Sequence, residues 1–392
     1  MAKKEKSLFK IIFIVILFIL NSVAAGGLLL SFLAQFTPPS TSIVITYCGL
    51  AFPYLLFVNL GFVVFWIFIR YKFAFFSLII ILLNVNNIDK YYQMRGIEKP
   101  DPCNNCIKFM TYNVKLFGLY NSNDTQTQLK ERDKIFQFLK EEQPDIVCFQ
   151  EYFVEKSNKL NFETTDSILS ILNMKKRYSR DNIESYRTFF PVHNNEYFFG
   201  IAIFSRYRII NSGSITLSDS ATTNSAMFVD IRYKNNDTIR IYTMHLESYH
   251  LNSKELNVLE MLGPNMLNNT DLNVKAKKLS GLMAKAYKQR GEQAKIIRAH
   301  IDSCRYPVII CGDFNDPPSS YTAHKIGKGF KDSFRVSGTN RGITYHEDML
   351  PHYRIDYIFH DKRYTSYGHA VHTDITVSDH YPVSSFISVK RR

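Results

Sequence analysis

The feature that most constrains this chain is an uncharged run near its N-terminus. From Ile11 to Ile69 the sequence contains no Asp, Glu, Lys, Arg or His, a run of about 59 residues. A single membrane-spanning helix needs roughly 20 apolar residues, so this run is long enough to cross a bilayer more than once. The rest of the chain has the composition of a soluble protein. The sequence therefore predicts a membrane part followed by a soluble part.

Three apolar segments are predicted to cross the membrane: Ile11–Phe36, Ile43–Ile69 and Phe73–Ile88. Lysines precede the first segment, Arg70 and Lys72 follow the second, and the loop around Pro38 has no basic residue. Basic residues favour the cytoplasmic side, so both basic ends are expected there. The third segment is short, near the lower limit for a crossing. If it crosses, the protein is multi-pass in the cell membrane and its soluble part is extracytoplasmic; otherwise the soluble part is cytoplasmic.

A cleaved signal peptide is the rival interpretation of the first segment. The residues from Ser22 to Ala25 resemble a cleavage site, but the apolar run continues beyond them to Leu33, which favours an uncleaved span. We expect three parts in the chain: a transmembrane region at 1–88, a polar linker at 89–106 and a soluble domain at 107–392.

The cysteines and the net charge leave several alternatives open. Cys103 and Cys106 in the linker are separated by two asparagines, an arrangement that fits a redox pair, a local disulfide or neither. The formal net charge of +13 fits an anionic partner and fits a solubilising surface charge at least as well. It does not distinguish nucleic acid from anionic lipid headgroups.

In the soluble part, polar residues follow apolar segments of strand length. The segment Val308–Cys311 reads as a buried strand and ends in Gly312-Asp313-Phe314-Asn315-Asp316. In extended backbone Asp313 and Asn315 would project to the same side, a carboxylate beside an amide. This pattern fits an Asx-rich turn. It also fits a carboxylate that activates water beside an amide that holds a phosphoryl oxygen.

Other predicted strands also end in polar side chains: Asn113, Glu151, His245, Asp356, and the pair Asp379 and His380. If these ends meet at one sheet edge, they gather oxygen acceptors and two imidazoles. Glu151 with oxygen partners suits Mg²⁺, which keeps several waters and accepts few carboxylates. The scarcity of Cys and His ligands argues against structural zinc. His380, oriented by Asp356, can hold a proton near neutral pH.

Seven short motifs occur in a fixed order: YNV at 112–114, FQE at 149–151, GIAIFSR at 200–206, MHLES at 244–248, GDFND at 312–316, RIDYIF at 354–359 and SDHYPV at 378–383. This ordered set resembles the motifs of the endonuclease/exonuclease/phosphatase superfamily. That family includes deoxyribonuclease-I-like and abasic-site nucleases, neutral sphingomyelinases and inositol polyphosphate 5-phosphatases. The resemblance covers about residues 107–390.

The resemblance implies a four-layer α/β sandwich with two facing mixed sheets. It also implies attack of water on a phosphoester with Mg²⁺ as the cofactor and Mn²⁺ as a substitute. The implied metal ligands are Glu151, as the principal one, with Asn113 and Asp379. The implied catalytic residues are Asp313 for the attacking water, Asn315 for phosphate oxygens, His245 and His380 for phosphoryl oxygens, and Asp356 as the partner of His380.

Departures from the family pattern concern the substrate. Abasic-site nucleases commonly place Trp just before the RxDY motif, whereas Tyr353 occupies that place here. The anchored architecture looks more like bacterial multi-pass hydrolases. The leading prediction is a membrane-anchored phosphoric ester hydrolase acting on a phospholipid headgroup or a nucleic acid, with no protein partner. The alternative is a DNA endonuclease or exonuclease.

Overall fold

The computed structural model describes residues 2–94, 96–100, 103, 105–157, 159–174, 184–193, 196–217, 224–234, 237–249, 270–346 and 352–389. Part of the predicted linker at 89–106 lies outside the described residues. The contacts between residues divide the chain into two compact units. One contains Met1–Tyr91 and Pro317–Lys325, and the other contains Tyr92–Asp316 and Ile326–Arg392.

The first unit is helical, with α1 (Ala2–Ala34), α2 (Ile43–Leu50), α3 (Phe52–Leu83) and α4 (Val85–Ile88). Two stretches are long and apolar enough to cross a membrane, Leu8–Ala34 and Phe52–Leu83. The prediction of one helix over Ile43–Ile69 is wrong, because the helical conformation is interrupted at Ala51, between α2 and α3. Pro53 lies in the first turn of α3, where a residue without a backbone N–H is tolerated.

Helix α3 reverses direction at Arg70, whose backbone is not helical (φ −153°, ψ 75°). The Ser77 hydroxyl donates a hydrogen bond to Asn59 Oδ1 at 3.0 Å, although these residues are 18 positions apart. A straight helix would separate them by about 27 Å, because it rises about 1.5 Å per residue. Phe52 and Ile81 also share one buried cluster. The long apolar stretch is therefore two helical segments folded against each other.

A buried polar network joins these segments to α1. Asn21 Nδ2 donates to the Ser77 hydroxyl at 2.5 Å, and the Trp66 indole donates to Asn21 Oδ1 at 2.8 Å. The side chains of Asn21, Asn59, Trp66 and Ser77 are all fully buried. Polar groups in an apolar bundle need partners of this kind, and the hydrogen bonds fix which helix faces meet.

The segment Pro317–Lys325 belongs to the same helical unit. The Ser319 hydroxyl donates to the Gly49 carbonyl at 2.8 Å and lies 2.6 Å from the Tyr91 hydroxyl. The rings of Phe36 and His324 meet at a centroid distance of 5.0 Å. Gly49 allows α2 to pack closely against the end of α1, since a Cβ at Gly49 would lie 2.6 Å from the Ala34 Cβ. Residues that follow the GDFND motif are thus built into the helical unit.

Among the described residues, the second unit has eleven strands: β1 (Cys106–Asn113), β2 (Ile146–Glu155), β3 (Glu184–His193), β4 (Tyr197–Ile215), β5 (Ser225–Arg232), β6 (Thr238–His245), β7 (Val308–Asp313), β8 (Lys331–Asp332), β9 (Asp356–His360), β10 (Thr365–Val371) and β11 (Val383–Ser388). The remaining helices are α5 (Thr125–Glu142), α6 (Thr164–Ile171), α7 (Thr270–Asp302), α8 (Tyr321–Gly327), which begins in the helical unit, and α9 (Ser333–Ser337).

Hydrogen bonds join the strands in the order β10-β11-β1-β2-β4-β5-β6-β7-β9-β8, and β3 pairs beside β4. β1 with β2 and β6 with β7 are parallel pairs, whereas most other pairs are antiparallel. Strand β4 is 19 residues long. Its first half pairs with β2 and its second half with β5. Two mixed sheets therefore share this strand.

The two sheets face each other across one apolar cluster, to which β1, β4, β6 and β7 contribute Ile107, Ile203, Ile241 and Cys311. Gln150 in β2 donates to the Thr243 hydroxyl in β6 at 2.9 Å, directly between the sheets. Helices α5 and α6 cover the outer face of the first sheet. Helix α7 reaches the second sheet, where His300 lies 2.9 Å from the Tyr242 hydroxyl. The predicted four-layer α/β sandwich is confirmed.

Two predictions about elements in this unit are wrong. The Lys- and Arg-rich stretch from Thr270 to Cys304 reads in the sequence as a long helix interrupted near Gly291, but α7 is continuous through this buried glycine. Asp379 and His380 are predicted to end a strand, but they precede one, since β11 begins at Val383. The linker cysteines Cys103 and Cys106 form a disulfide, one of the three alternatives left open.

Candidate functional site

The strand order brings the polar strand ends together. Asn113 ends β1, His245 ends β6 and Asp313 ends β7. In the sheet register Asp313 lies opposite His245 on one side and opposite Asp356, the first residue of β9, on the other. β6 and β7 are adjacent parallel strands, so His245 and Asp313 end at the same sheet edge. Asp356 starts the antiparallel strand β9 at that edge, and Asn113 reaches Asp313 from the facing sheet.

Asp313 is the centre of this arrangement and is almost completely buried, with 1% exposure. Asn113 Nδ2 donates to Asp313 Oδ2 at 3.1 Å. The Nε2 atoms of His245 and His380 each lie 3.6 Å from the same oxygen. Burial raises the pKa of the Asp313 carboxyl, while the neighbouring histidine charges oppose this rise. A carboxylate with a raised pKa is a better proton acceptor than an exposed one.

Gly312 allows β7 to approach β6 closely at this point. Its φ of +129° lies in a region that L side chains rarely adopt. A Cβ at Gly312 would lie 2.1 Å from the Met244 carbonyl oxygen. Only glycine fits the position before Asp313.

Asn315 is not in extended backbone, contrary to expectation. Its φ is +52°, and its backbone N–H donates to Asp313 Oδ1 at 2.8 Å. Its side-chain nitrogen donates to the Leu246 carbonyl at 3.0 Å and to Asp313 Oδ2 at 3.3 Å. The Asx turn is therefore present, with two N–H groups of Asn315 on the Asp313 carboxylate. The role of Asn315 towards a phosphoryl oxygen stays a prediction.

Asp356 and His380 form a buried pair. His380 Nδ1 lies 2.9 Å from Asp356 Oδ2, and the Tyr345 ring packs against the imidazole at a centroid distance of 5.1 Å. Burial alone would lower the pKa of His380, but the carboxylates of Asp356 and Asp313 raise it well above its ordinary value. The imidazole is thereby kept as a proton donor that presents Nε2 towards Asp313.

Glu151 lies at an irregularity in β2, where the register with β4 shifts between Phe149 and Tyr152. Its φ of +49° is left-handed, which is a strained conformation for a non-glycine residue. Asn113 Nδ2 donates to Glu151 Oε1 at 3.2 Å, and His245 Nε2 lies 3.8 Å from the same oxygen. The bulge turns this carboxylate towards the other site residues. Its side chain keeps 25% exposure, far more than that of Asp313.

Asp379 is held by groups that the sequence interpretation missed. Lys115 Nζ lies 2.8 Å from Asp379 Oδ2. The Ser378 hydroxyl contacts Asp379 Oδ1 at 3.2 Å and the Asn113 carbonyl at 2.7 Å. Burial would raise the pKa of Asp379, but the charges of His380 and Lys115 lower it. The only hint of this contact in the sequence was that Lys115 lies two residues after Asn113.

The predicted metal ligands are therefore brought together unequally. Asn113 and Glu151 touch directly, whereas Asp379 reaches Asn113 through Ser378. Ligand atoms of Asp313, Asp356 and His380 lie within 4.8 Å of one another and offer a second possible cation site. Glu151 is the more accessible carboxylate, with 25% exposure of its side chain, whereas these three residues are buried. Its hard oxygen donors fit a divalent cation such as Mg²⁺.

Comparison with solved structures finds similar chains of low sequence identity. An endonuclease/exonuclease/phosphatase family protein from Leptotrichia buccalis is 17% identical with a TM-score of 0.47, over 72% of this chain and 99% of that chain. The human Nocturnin catalytic domain with bound sulfate is 18% identical with a TM-score of 0.46, over 72% and 94%. A mannosyl-6-phosphatase of Bacteroides thetaiotaomicron is 17% identical with a TM-score of 0.47, over 72% and 99%.

Comparison with curated proteins finds no match. Two protein-family models match the chain. Residues 12–91 match a domain of unknown function, DUF8431. Residues 110–380, more than half of the chain, match the model of the Endonuclease/Exonuclease/phosphatase family. The three activities in that description are all hydrolyses of phosphoesters. The chain belongs to the endonuclease/exonuclease/phosphatase family.

Proposed function

We propose that this protein is a membrane-anchored, Mg²⁺-dependent phosphoesterase that acts on a phospholipid headgroup outside the cytoplasm. The observation that carries the proposal is the environment of Asp313, a buried carboxylate with an amide and two imidazoles around one oxygen. Hydrolysis of a phosphoester needs a proton acceptor for water and donors for the phosphoryl oxygens, and this arrangement supplies both.

In the proposed mechanism, Asp313 accepts the proton of the attacking water. Asn113 and Asn315 hold the carboxylate in one orientation, which limits the motion that the reaction must otherwise overcome. His380, charged and held by Asp356, donates a hydrogen bond to a phosphoryl oxygen. His245, which faces both Glu151 and Asp313, protonates or stabilises the leaving oxygen.

Glu151 and Asn113 would hold the divalent cation, with Asp379 in a supporting position. When bound, such a cation neutralises negative charge on the phosphoryl group. The pairing of Asp379 with Lys115 supports a role in shaping the site around Asn113 more than a role as principal ligand.

The membrane anchor in this proposal has three crossings. They are α1 and the two segments of α3 that meet at Arg70. An odd number of crossings with the N-terminus in the cytoplasm leaves the family domain outside. The Cys103–Cys106 disulfide supports this side, because disulfides persist in oxidising compartments.

A screen of the full-length protein in detergent tests the function. Phospholipids, single- and double-stranded DNA, RNA and soluble phosphoesters are offered with Mg²⁺ or Mn²⁺, and released phosphate, headgroup, nucleotides or shortened strands are measured. Hydrolysis of a phospholipid supports the proposal, whereas hydrolysis of nucleic acid alone replaces the substrate with the alternative one. Absence of hydrolysis of any phosphoester with either metal would contradict the enzymatic proposal.

A further inference from the structure

A charged side chain is enclosed beside the candidate site without belonging to it. Arg290 in α7 is fully buried, whereas Ala286, Ala294 and Ile297 on the same buried side of the helix are apolar. Burying a guanidinium is costly unless its partners compensate for the lost water. The position of those partners therefore indicates why an arginine is present.

The partners of Arg290 are two chain segments and two aromatic rings. Arg290 Nη1 donates to the Glu247 carbonyl at 2.6 Å, and Nη2 lies 3.2 Å from Asp316 Oδ1. The guanidinium carbon lies 4.8 Å from the centre of the Tyr249 ring and 4.4 Å from that of Tyr287. Burial alone would lower the pKa of Arg290, but the Asp316 charge raises it, so the guanidinium stays charged.

Both segments carry residues of the candidate site. Glu247 follows His245 by two positions, and Asp316 directly follows Asn315. The two segments also contact each other, because the Leu246 N–H donates to the Asp313 carbonyl at 3.1 Å and Asn315 donates to the Leu246 carbonyl. Gln293, also in α7, accepts a hydrogen bond from the Glu247 N–H at 3.0 Å. Helix α7 thus contacts the residues just after the ends of β6 and β7, which we call the exits of these strands.

We propose that Arg290 is a positioning residue, whose guanidinium ties the exit of β6 to the exit of β7 and so fixes His245 relative to Asp313. This role rests on the proposed function for its effect on rate. A planar guanidinium can address two oxygen partners in fixed directions, whereas a lysine ammonium is a single point charge. Small displacements of positioned groups lower rates strongly, by about 100-fold for a shift of about 1 Å.

Two variants of the full-length protein separate positioning from folding. Arg290→Lys keeps the charge and removes the two-pronged geometry. Arg290→Met with Asp316→Asn removes both charges, so no buried charge is left without a partner. Arg298→Lys on the same helix is the matched control, because the partners of Arg298 are the exposed Asp302 and the carbonyls of Ile326 and Lys328, none of which is at the candidate site. Turnover is measured on the phosphoester identified by the screen, beside hydrogen exchange by mass spectrometry.

We expect both variants to unfold close to the wild-type temperature and to lose about tenfold to 100-fold in kcat, with KM within about threefold. Peptides containing 244–249 and 312–316 should exchange about tenfold faster, while peptides from β2 stay unchanged. Arg298→Lys should behave as the wild type. A wild-type kcat or unchanged exchange in the folded variants overturns the proposal, and so does failure of both variants to fold, which would make Arg290 a folding residue.

The two proposals fail in distinguishable ways. If the wild-type protein hydrolyses no phosphoester, the proposed function is wrong. The exchange measurement still tests whether Arg290 holds the two strand exits together, because it does not depend on activity.

Discussion

Glu151 combines a strained backbone with a carboxylate that is more accessible than that of Asp313. We predict that Glu151→Gln abolishes metal-dependent turnover and leaves the fold intact, because the change removes a ligand charge and no core volume. The measurement is the rate at limiting Mg²⁺, with thermal unfolding as the test of folding. Glu196→Gln, at an exposed ion pair with Lys159, is the control. Near-wild-type activity of Glu151→Gln would refute the metal assignment.

His380 is buried and is held by a carboxylate of the site, with Nδ1 2.9 Å from Asp356 Oδ2. We predict that His380→Ala lowers the rate by roughly 100-fold or more, the usual contribution of a positioned acid–base group. His372→Ala is the control, since His372 contacts Ser384 and packs against Phe138. It should lose stability while the remaining folded protein keeps its rate. A His380→Ala rate within severalfold of wild type would make this histidine structural.

Site residues could be predicted from the sequence because each follows a recognisable strand in a motif of fixed order. Asn113, His245 and Asp313 are of this kind, and the structure brings them together. Lys115 and Arg290 could not be found in this way. Lys115 contacts Asp379 because its backbone lies in a left-handed turn. Arg290 lies in a helix whose lysines and arginines resemble an ordinary solvated face, although Arg290 itself pairs with Asp316.

At the scale of elements, replacing either of two glycines by alanine should change the stability of the protein in opposite directions. Gly312→Ala should destabilise the protein by roughly 3 kcal/mol or more, because its Cβ would overlap the neighbouring strand at Met244. Gly281→Ala in α7 should stabilise it by up to about 1 kcal/mol, because nothing lies within 4 Å of that Cβ and alanine favours a helix. Chemical denaturation of both variants tests the pair. Equal stability of Gly312→Ala and wild type would contradict the close approach of β6 and β7.

The sequence predicted short buried strands well and long or irregular elements poorly. The apolar spacing from Gln126 to Glu142 and the following Pro144 predict a helix there, and α5 begins one residue earlier, at Thr125. The extension of β4 to Ile215 was missed, because its second half alternates in exposure and its role depends on pairing with β5. Contacts between distant residues decide such pairing. The reversal at Arg70 agrees with the predicted end of the second apolar segment, because the basic residues Arg70 and Lys72 interrupt the apolar run there.

At the scale of the whole molecule, stability should depend on pH through buried neutral histidines. Burial lowers the pKa of His369 to about 3, and its Nδ1 contacts the Ser333 hydroxyl at 2.8 Å. The unfolded chain takes up a proton near pH 6.5 that the folded protein does not, so stability is lost as pH falls from about 6.5 towards 3. This group alone costs about 1.4 kcal/mol per pH unit within that window.

Unfolding of the full-length protein at about pH 7.5 and about pH 5 measures this effect. The loss of stability on acidification should be smaller in His369→Gln than in the wild type, because glutamine takes up no proton. An equal loss in both proteins would show that His369 does not contribute.

Sidedness is also a property of the whole chain. We predict that alkaline phosphatase fused after Lys99 is active and that a fluorescent protein fused there is dark, because three crossings place this point outside the cytoplasm. Fusions after Thr37 in the first loop should give the same pattern, and fusions after Lys72 the reverse. A fluorescent, phosphatase-negative fusion at Lys99 would mean that the segment after Arg70 does not cross. Nucleic acid would then become the favoured substrate.

Because Pro317–Lys325 belongs to the helical unit, the two units are not two consecutive stretches of the chain. A tethered enzyme usually has one junction that can be cut or recombined, but here the chain passes between the two units after Tyr91, after Asp316 and again after Lys325. Deleting the first 91 residues would remove Gly49 and Tyr91, the partners of Ser319, from a segment that starts one residue after the GDFND motif. The helical unit and the family domain are therefore expected to be inherited, exchanged and engineered together, and a chain without its first 91 residues is not expected to be equivalent to the full-length one.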